Sequence, residues 1–223
     1  MSRIAQLSHG TLQSIVRAVP AAPRVSARQC AATIVVCGVA YGAVMGSLNG
    51  FAGDRLLQVV YSAVKVPLLL GVTSAVCVPS FFVLNSLLGV RNDLAIALRA
   101  LLAGQAGLAV VLASLAPYTA LWYCSSAEYT DAIAVNGAMF AIASAVGQFV
   151  LRRHYAPLIA RDRRHRQLLN VWLGMYVFVA IQLAWVLRPF VGTPGQATQF
   201  FRESAWDNAY VIVARLVWGL FAD

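Results

Sequence analysis

Six amide side chains lie inside long apolar stretches of the sequence. Four fall toward the side of the amino terminus, Asn85, Gln105, Gln148 and Asn170, and two fall toward the other side, Asn136 and Gln182. An amide in such surroundings is costly unless it finds a hydrogen-bond partner, so we expect each of them to point into the interior of the fold. There the amides can line a polar cavity, or they can form hydrogen bonds between helices that contribute about 0.6 kcal/mol each. The sequence leaves both roles open.

Catalytic chemistry is not indicated by the other polar residues. The chain has no Gly-x-Ser-x-Gly word, phosphate-binding loop, dinucleotide fingerprint or paired-histidine zinc motif. His9, His154 and His165 have no cysteine or carboxylate pair at ligand spacing, and we expect them to be solvated. The long apolar stretches also lack Asp and Glu, which ion-driven carriers usually need at mid-membrane. We therefore predict a protein that is not an enzyme and has no catalytic residues, cofactor or metal site.

The elements that position these residues follow from the composition. Of the 223 residues, 60% are apolar and only 11% are charged. In a soluble domain roughly a quarter of all residues are charged. Five apolar runs approach or exceed the roughly 20 residues that cross a bilayer as a helix. They cover residues 30–48, 66–90, 100–122, 132–151 and 168–187. The predicted fold is an all-α polytopic membrane bundle of five transmembrane helices, with the lipid bilayer as solvent.

Shorter amphipathic segments flank these runs and predict helices that lie on the membrane surface. One lies in the N-terminal segment, one spans residues 54–65, and one spans residues 209–222. In the second, a polar stripe formed by Arg55, Gln58, Ser62 and Lys65 predicts an interfacial helix. We expect one domain in total: a cytoplasmic amphipathic segment (1–29), the five-span bundle (30–190), and an outer-face turn with an interfacial helix (191–223).

The distribution of basic residues predicts the orientation. Twelve of the seventeen Lys and Arg residues fall on the side of the amino terminus, which predicts a cytoplasmic N-terminus and a periplasmic C-terminus in a bacterial inner membrane. This asymmetry accounts for the pI near 10.0, so no nucleic-acid partner is expected. Six of the basic residues fall in one predicted cytoplasmic loop: Arg152, Arg153, Arg161, Arg163, Arg164 and Arg166. This basic loop is typical of contact with anionic lipid, or of docking to an acidic partner.

Two further groups of residues are predicted to organise the bundle. Gly38, Gly42 and Gly46 form a small-residue ridge that lets another helix approach closely, either in this chain or in a second copy. The other group is expected at the outer interface, where Lys65 and Arg188 can extend to water and Arg202 and Glu203 can cap or pair. Its members are Lys65, Arg188, Pro189, Phe190, Arg202 and Glu203. They form an aromatic interfacial belt or a recognition surface.

Several words in the chain resemble those of bacterial five-span proteins that are distantly similar to the Yip1 family. They are Tyr61-Ser-Ala-Val-Lys65-Val-Pro67, Pro79-Ser-Phe-Phe-Val-Leu-Asn85, Leu187-Arg188-Pro189-Phe190 and Phe200-Phe201-Arg202-Glu203. The resemblance implies five spans, a cytoplasmic N-terminus and a non-enzymatic role in membrane organisation or trafficking. The Asp-Leu-Tyr-Gly-Pro word of eukaryotic Yip1 proteins is not present, so interaction with a small GTPase is not carried over.

Taken together, these features predict a non-catalytic multi-pass inner-membrane protein that is a scaffold or accessory subunit of a membrane complex. Its expected partners are other membrane subunits or a second copy of itself. The alternative is a small uncoupled channel or solute transporter whose polar cavity is lined by the four amides.

Overall fold

A computed structural model describes residues 26–48, 50, 55–126, 128–192 and 198–201. Five long α-helices make up nearly all of these residues: α1 (Ala27–Gly46), α2 (Arg55–Leu87), α3 (Leu94–Ser125), α4 (Tyr129–Arg161) and α5 (Arg164–Val186). A 3₁₀ turn, Arg91–Asp93, precedes α3, and the described ranges contain no strand. Each of the five helices is long and apolar enough to cross a membrane. The prediction of an all-α bundle with five spans is confirmed.

The helices pack in the spatial order α5, α2, α1, α3, α4, because α1 contacts both α2 and α3 while α5 and α4 flank them. Although α4 and α5 are consecutive in the chain, they touch each other far less than the other neighbours do. We call the end of the bundle where α4 meets α5 the basic end, and the opposite end, where α5 finishes, the Pro189 end. Each end has its own apolar cluster, one around Tyr41 and Leu112 and the other around Phe81 and Trp172.

The predicted interfacial helix at residues 54–65 is not a separate element, and here the structure differs from the sequence prediction. Residues 55–65 form the first three turns of α2, a helix of 33 residues and roughly 50 Å that is longer than the hydrocarbon core of about 30 Å. Its polar stripe faces inward, since Gln58, Ser62 and Lys65 are at most 2% exposed. The stripe turns inward because it binds backbone atoms that follow α5, as described below.

The predicted basic loop also differs, because it consists largely of two helix ends. Helix α4 continues to Arg161 and α5 begins at Arg164, so only Asp162 and Arg163 connect them. The apolar run ends at residue 151, yet the helix continues because Tyr155 and Leu158 still pack into the core of the basic end. The remaining arginines of the set lie on these helices: Arg152 and Arg153 on α4, and Arg166 on α5.

Some predicted features lie outside the described residues. They are the amphipathic segment up to residue 25, the C-terminal interfacial helix at 209–222, and the residues Arg202 and Glu203. Of the predicted N-terminal segment, residues 27–29 belong to α1. A capping box starts that helix: the backbone N–H of Gln29 donates to Ser26 Oγ at 3.2 Å, and the Ser26 N–H donates to Gln29 Oε1 at 2.9 Å.

The glycine ridge of α1 packs against α2 of the same chain. A Cβ atom placed on Gly42 would overlap the Ser62 carbonyl oxygen and lie 2.9 Å from Ala63 Cα. At Gly38 and Gly46 an added Cβ would meet α2 atoms at 3.2 and 2.9 Å. The two helices can therefore approach this closely only because the ridge has no side chains.

This contact predicts opposite effects for the same substitution at two helical glycines. Gly71 on α2 has nothing within 4 Å of an added Cβ. Gly71→Ala should therefore be neutral or stabilising by about 0.5–1 kcal/mol, because alanine lowers the conformational entropy of the unfolded chain. Gly42→Ala forces backbone apart and should destabilise by about 1–3 kcal/mol. Thermal unfolding of both variants in one detergent measures the difference. A Gly42→Ala protein as stable as Gly71→Ala would contradict the close packing.

Candidate functional site

The polar stripe of α2 binds the backbone carbonyls of the segment that follows α5. Lys65 Nζ donates to the Pro189 carbonyl oxygen at 2.6 Å, and Gln58 Nε2 donates to the Phe190 carbonyl oxygen at 3.0 Å. Ser62 Oγ donates to the same Phe190 oxygen. Non-helical backbone inside a membrane protein needs hydrogen-bond partners from the protein itself. These three side chains therefore supply the donors that the carbonyls of Pro189 and Phe190 would have had in a helix.

The segment 189–192 reaches α2 because the chain turns back after α5. Pro189 has no N–H and cannot continue the helix, and the Arg188–Pro189 peptide is cis. Val191 is buried, and Gly192 lies so close to α2 that an added Cβ would be 2.9 Å from Gln58 Cγ. The segment is thus packed against α2 as well as hydrogen-bonded to it.

Lys65 is fully buried, in contrast to the prediction that it extends to the interface. Besides the Pro189 carbonyl, its ammonium group lies 4.9 Å from the centre of the Phe200 ring and 6.0 Å from that of Tyr61. The two rings meet edge to face at 5.2 Å. Asp93, which pairs with Arg161 and His165, lies at the other end of the bundle. Carbonyl dipoles and aromatic faces therefore surround this cation.

A second network joins α1, α3 and α4 near the same end. Tyr41 Oη donates to Asn136 Oδ1 at 2.9 Å, Asn136 Nδ2 donates to Tyr123 Oη at 2.6 Å, and Tyr123 Oη donates to the Met45 carbonyl at 3.2 Å. Each hydroxyl and amide in this chain of bonds connects two helices. The network fixes the positions of three helices around one buried amide.

The four amides that fall toward the side of the amino terminus in the apolar stretches are not brought together. Gln105 Oε1 accepts from Tyr176 Oη at 2.9 Å and links α3 to α5, whereas Asn85 Nδ2 donates to a carbonyl of its own helix. Gln148 is half-buried, and Asn170 is exposed, in contrast to the expectation that it points inward. None of the four lines either cavity described below. Their arrangement is that of separate contacts and not of a shared polar path.

The larger cavity lies at the Pro189 end and has a volume of about 720 Å³. One wall is formed by α4 and the other by α5, and the turn after α5 closes one side. The walls are mainly apolar, with residues such as Ile133, Phe140, Ile181 and Ala184. Its polar lining includes Arg55, Arg188 and Trp185 and the amides Gln58 and Asn136. A cavity of this size and lining is typical of a site for a small, mostly apolar ligand.

A second, shallower cavity of about 350 Å³ lies on the outside of the bundle, between α2 and α5. We call it the α2–α5 groove. Val76 and Ser80 line it from α2, and Gly174 and Phe178 line it from α5. A Cβ added to Gly174 would meet nothing within 4 Å, and Asn170 is exposed one turn earlier on the same helix. The groove thus contains two small residues, Ser80 and Gly174, and an exposed amide lies one turn from Gly174 on the same helix.

The basic end is closed by one carboxylate. Asp93 accepts a hydrogen bond from Arg161 Nη1 at 2.9 Å and lies 3.3 Å from His165 Nε2. His165 is fully buried beside the Tyr155 ring, in contrast to the expectation that it is solvated, because α5 begins here and turns the imidazole into the bundle. Among the described residues no three His, Cys, Asp or Glu side chains form a group that could hold a metal.

Sequence reasoning missed the residues that define the Pro189 end. The sequence predicts Gln58 and Ser62 only as part of a stripe on the surface of an interfacial helix. It makes no prediction for Tyr41 and Tyr123, whose hydroxyls form hydrogen bonds between helices. The available signal was the spacing of Gln58, Ser62 and Lys65, which at i, i+4 and i+7 occupy one face of a helix that continues into an apolar run.

No protein-family model, curated protein or solved structure matches the chain. Its class is therefore defined by its fold alone: it is a multi-pass α-helical membrane protein.

The carbonyl contacts predict different effects for two serines of α2. In Ser62→Ala the Phe190 carbonyl loses a donor inside the bundle, which should destabilise by about 1 kcal/mol. Ser86→Ala is the matched control, since the exposed Ser86 hydroxyl bonds only to a carbonyl of its own helix and should be near neutral. Thermal unfolding of the two variants measures the effect. Equal stabilities would show that the stripe does not hold the segment.

Proposed function

We propose that the protein is a non-catalytic scaffold or accessory subunit of a membrane complex, and that a partner helix binds in the α2–α5 groove. The observation that carries this proposal is the exposed face of α5 on which Asn170 and Gly174 lie one turn apart. An exposed amide in a membrane-spanning helix is costly in lipid and is satisfied by hydrogen bonding to another helix.

The shape of the groove supports the same proposal. Gly174 and Ser80 face it from opposite sides, and the space above Gly174 is open. Small residues let a second helix approach at backbone distance, and Asn170, four residues before Gly174, lies on the same face as the glycine. A helix seated there contacts the glycine and reaches the amide at the same time. The occupant is a subunit of another kind or a second copy of this chain.

The use of polar groups inside the bundle favours a scaffold over the uncoupled channel or transporter. The amine and amide groups of Lys65, Gln58 and Asn136 bond to backbone or to other helices. A conducting path needs polar groups that face a common space. Asn85 and Gln105 line neither cavity, and the Gln58 and Asn136 amides, which both line the larger one, donate to acceptors of the protein itself. The bonds instead give the bundle a fixed shape, which suits a protein that positions other subunits.

The proposal includes an orientation in the bacterial inner membrane, with the basic end in the cytoplasm. The exposed arginines there include Arg152, Arg163, Arg164 and Arg166, which suit contact with anionic lipid. The resemblance to Yip1-type proteins is in keeping with a non-enzymatic role in membrane organisation.

Blocking the groove is expected to release the partner. In Gly174→Leu the new side chain fills the groove, and in Asn170→Leu the exposed amide is lost. For both variants the amount of partner that copurifies with the chain should fall by about tenfold or more. Gly71→Leu is the matched control, since Gly71 also has open space but lies on another face of α2. The measurement is quantitative mass spectrometry of proteins that copurify with the tagged chain from its native membrane in mild detergent.

Differently tagged copies expressed together show in the same experiment whether the partner is a second copy. The proposal fails if no stoichiometric partner or second copy is recovered, or if Gly174→Leu retains it as well as Gly71→Leu does.

The orientation is testable with the native cysteines. Cys124 is exposed at the Pro189 end, whereas Cys30 and Cys77 are buried. A membrane-impermeant maleimide added to spheroplasts should label Cys124 without permeabilisation, and Cys124→Ser should abolish the signal. Labelling that requires permeabilisation would reverse the orientation.

A further inference from the structure

The 720 Å³ cavity lies where α4 and α5 diverge, away from the basic end at which the described contacts hold them together. At the basic end two residues join them, and Asp93 contacts both Arg161 of α4 and His165 of α5. At the Pro189 end the facing residues, Ile133 on α4 and Ile181 on α5, line the cavity between the helices. The gap is thus a consequence of the helix arrangement.

The lining of the cavity requires an apolar occupant. Ile133 and Ile181 are 48% and 47% exposed, and an added Cβ at Gly137 would meet nothing within 4 Å. The interiors of membrane proteins are stabilised by close van der Waals contacts, and these contacts are missing where an empty gap separates two spans. In a bilayer, lipid acyl chains can fill a gap between two membrane-spanning helices.

Two guanidinium groups and one indole give the cavity the character of an anion site at its rim. Arg55 and Arg188 both line it, and none of the described lining residues is Asp or Glu. Arg188 is held in place by Trp185: its Cζ lies 3.2 Å from the centre of the indole ring, and its Nε donates to the Trp185 carbonyl at 3.3 Å. Guanidinium groups suit phosphate oxygens because they donate two parallel hydrogen bonds.

We propose that this cavity binds one anionic phospholipid. One of its two acyl chains lies between α4 and α5, and its phosphate contacts Arg55 and Arg188. The site is separate from the α2–α5 groove, so the lipid can be bound whether or not a partner helix occupies that groove.

The test uses the full chain reconstituted in nanodiscs of phosphatidylcholine with a minor fraction of phosphatidylglycerol, followed by detergent release and native mass spectrometry. The wild-type protein should retain one phosphatidylglycerol per chain. Gly137→Leu, which projects a side chain into the cavity, should lose it, whereas Gly71→Leu should not. Arg188→Gln should lower retention about tenfold, because one charge-assisted contact is lost, while Arg91→Gln at the basic end should not.

Thermal unfolding of every variant separates loss of lipid from loss of fold, and Arg55→Gln provides a second variant that leaves the apolar walls intact. The proposal is overturned if the wild-type protein retains no lipid, if it retains phosphatidylcholine as readily as phosphatidylglycerol, or if a folded Gly137→Leu protein retains as much as the wild type. Photo-crosslinking from position 137 to protein in place of lipid would also overturn it.

Discussion

The structure depends on which groups donate hydrogen bonds to the backbone carbonyls that follow α5. The carbonyls of Pro189 and Phe190 lie beyond the end of α5 and have no helical donors. Lys65, Gln58 and Ser62 supply the donors, and this requirement explains why a helix made mainly of apolar residues begins with a buried polar face. Packing of α2 on α1 follows from the same placement, since Gly42 and Gly46 accommodate α2 beside that polar face.

The helices are held together by different contacts at the two ends of the bundle. At the basic end Asp93 and the short α4–α5 connection bring those helices together, and buried aromatic residues such as Trp172 fill the space between them. At the Pro189 end the turn after α5 lies against α2, and α4 is held to α1 and α3 through Asn136. Since each helix is fastened to a different neighbour there, α4 and α5 separate. The cavity and its two arginines are therefore products of the same contacts that order the fold.

The sequence was sufficient for the five spans, because uninterrupted apolar runs identify them through length and composition alone. It was insufficient for the helix ends, since Tyr155 and the first three turns of α2 are held by packing that a hydropathy pattern does not contain. The site was harder still: Lys65 and its acceptor Pro189 are 124 residues apart, and an interfacial lysine and a buried one have the same local sequence. Asn170 was expected inside for the sound reason that amides avoid lipid, and its exposure became informative only once the bundle was known.

The 124-residue separation between Lys65 and Pro189 also has a consequence for biogenesis. When α2 leaves the ribosome and enters the membrane, three more spans must be synthesised before its acceptors exist. During that interval its charged and polar face has to remain near water, in the translocation channel or at the bilayer surface. The interaction that completes the fold is thus the last to form, and it links insertion of an early span to insertion of α5.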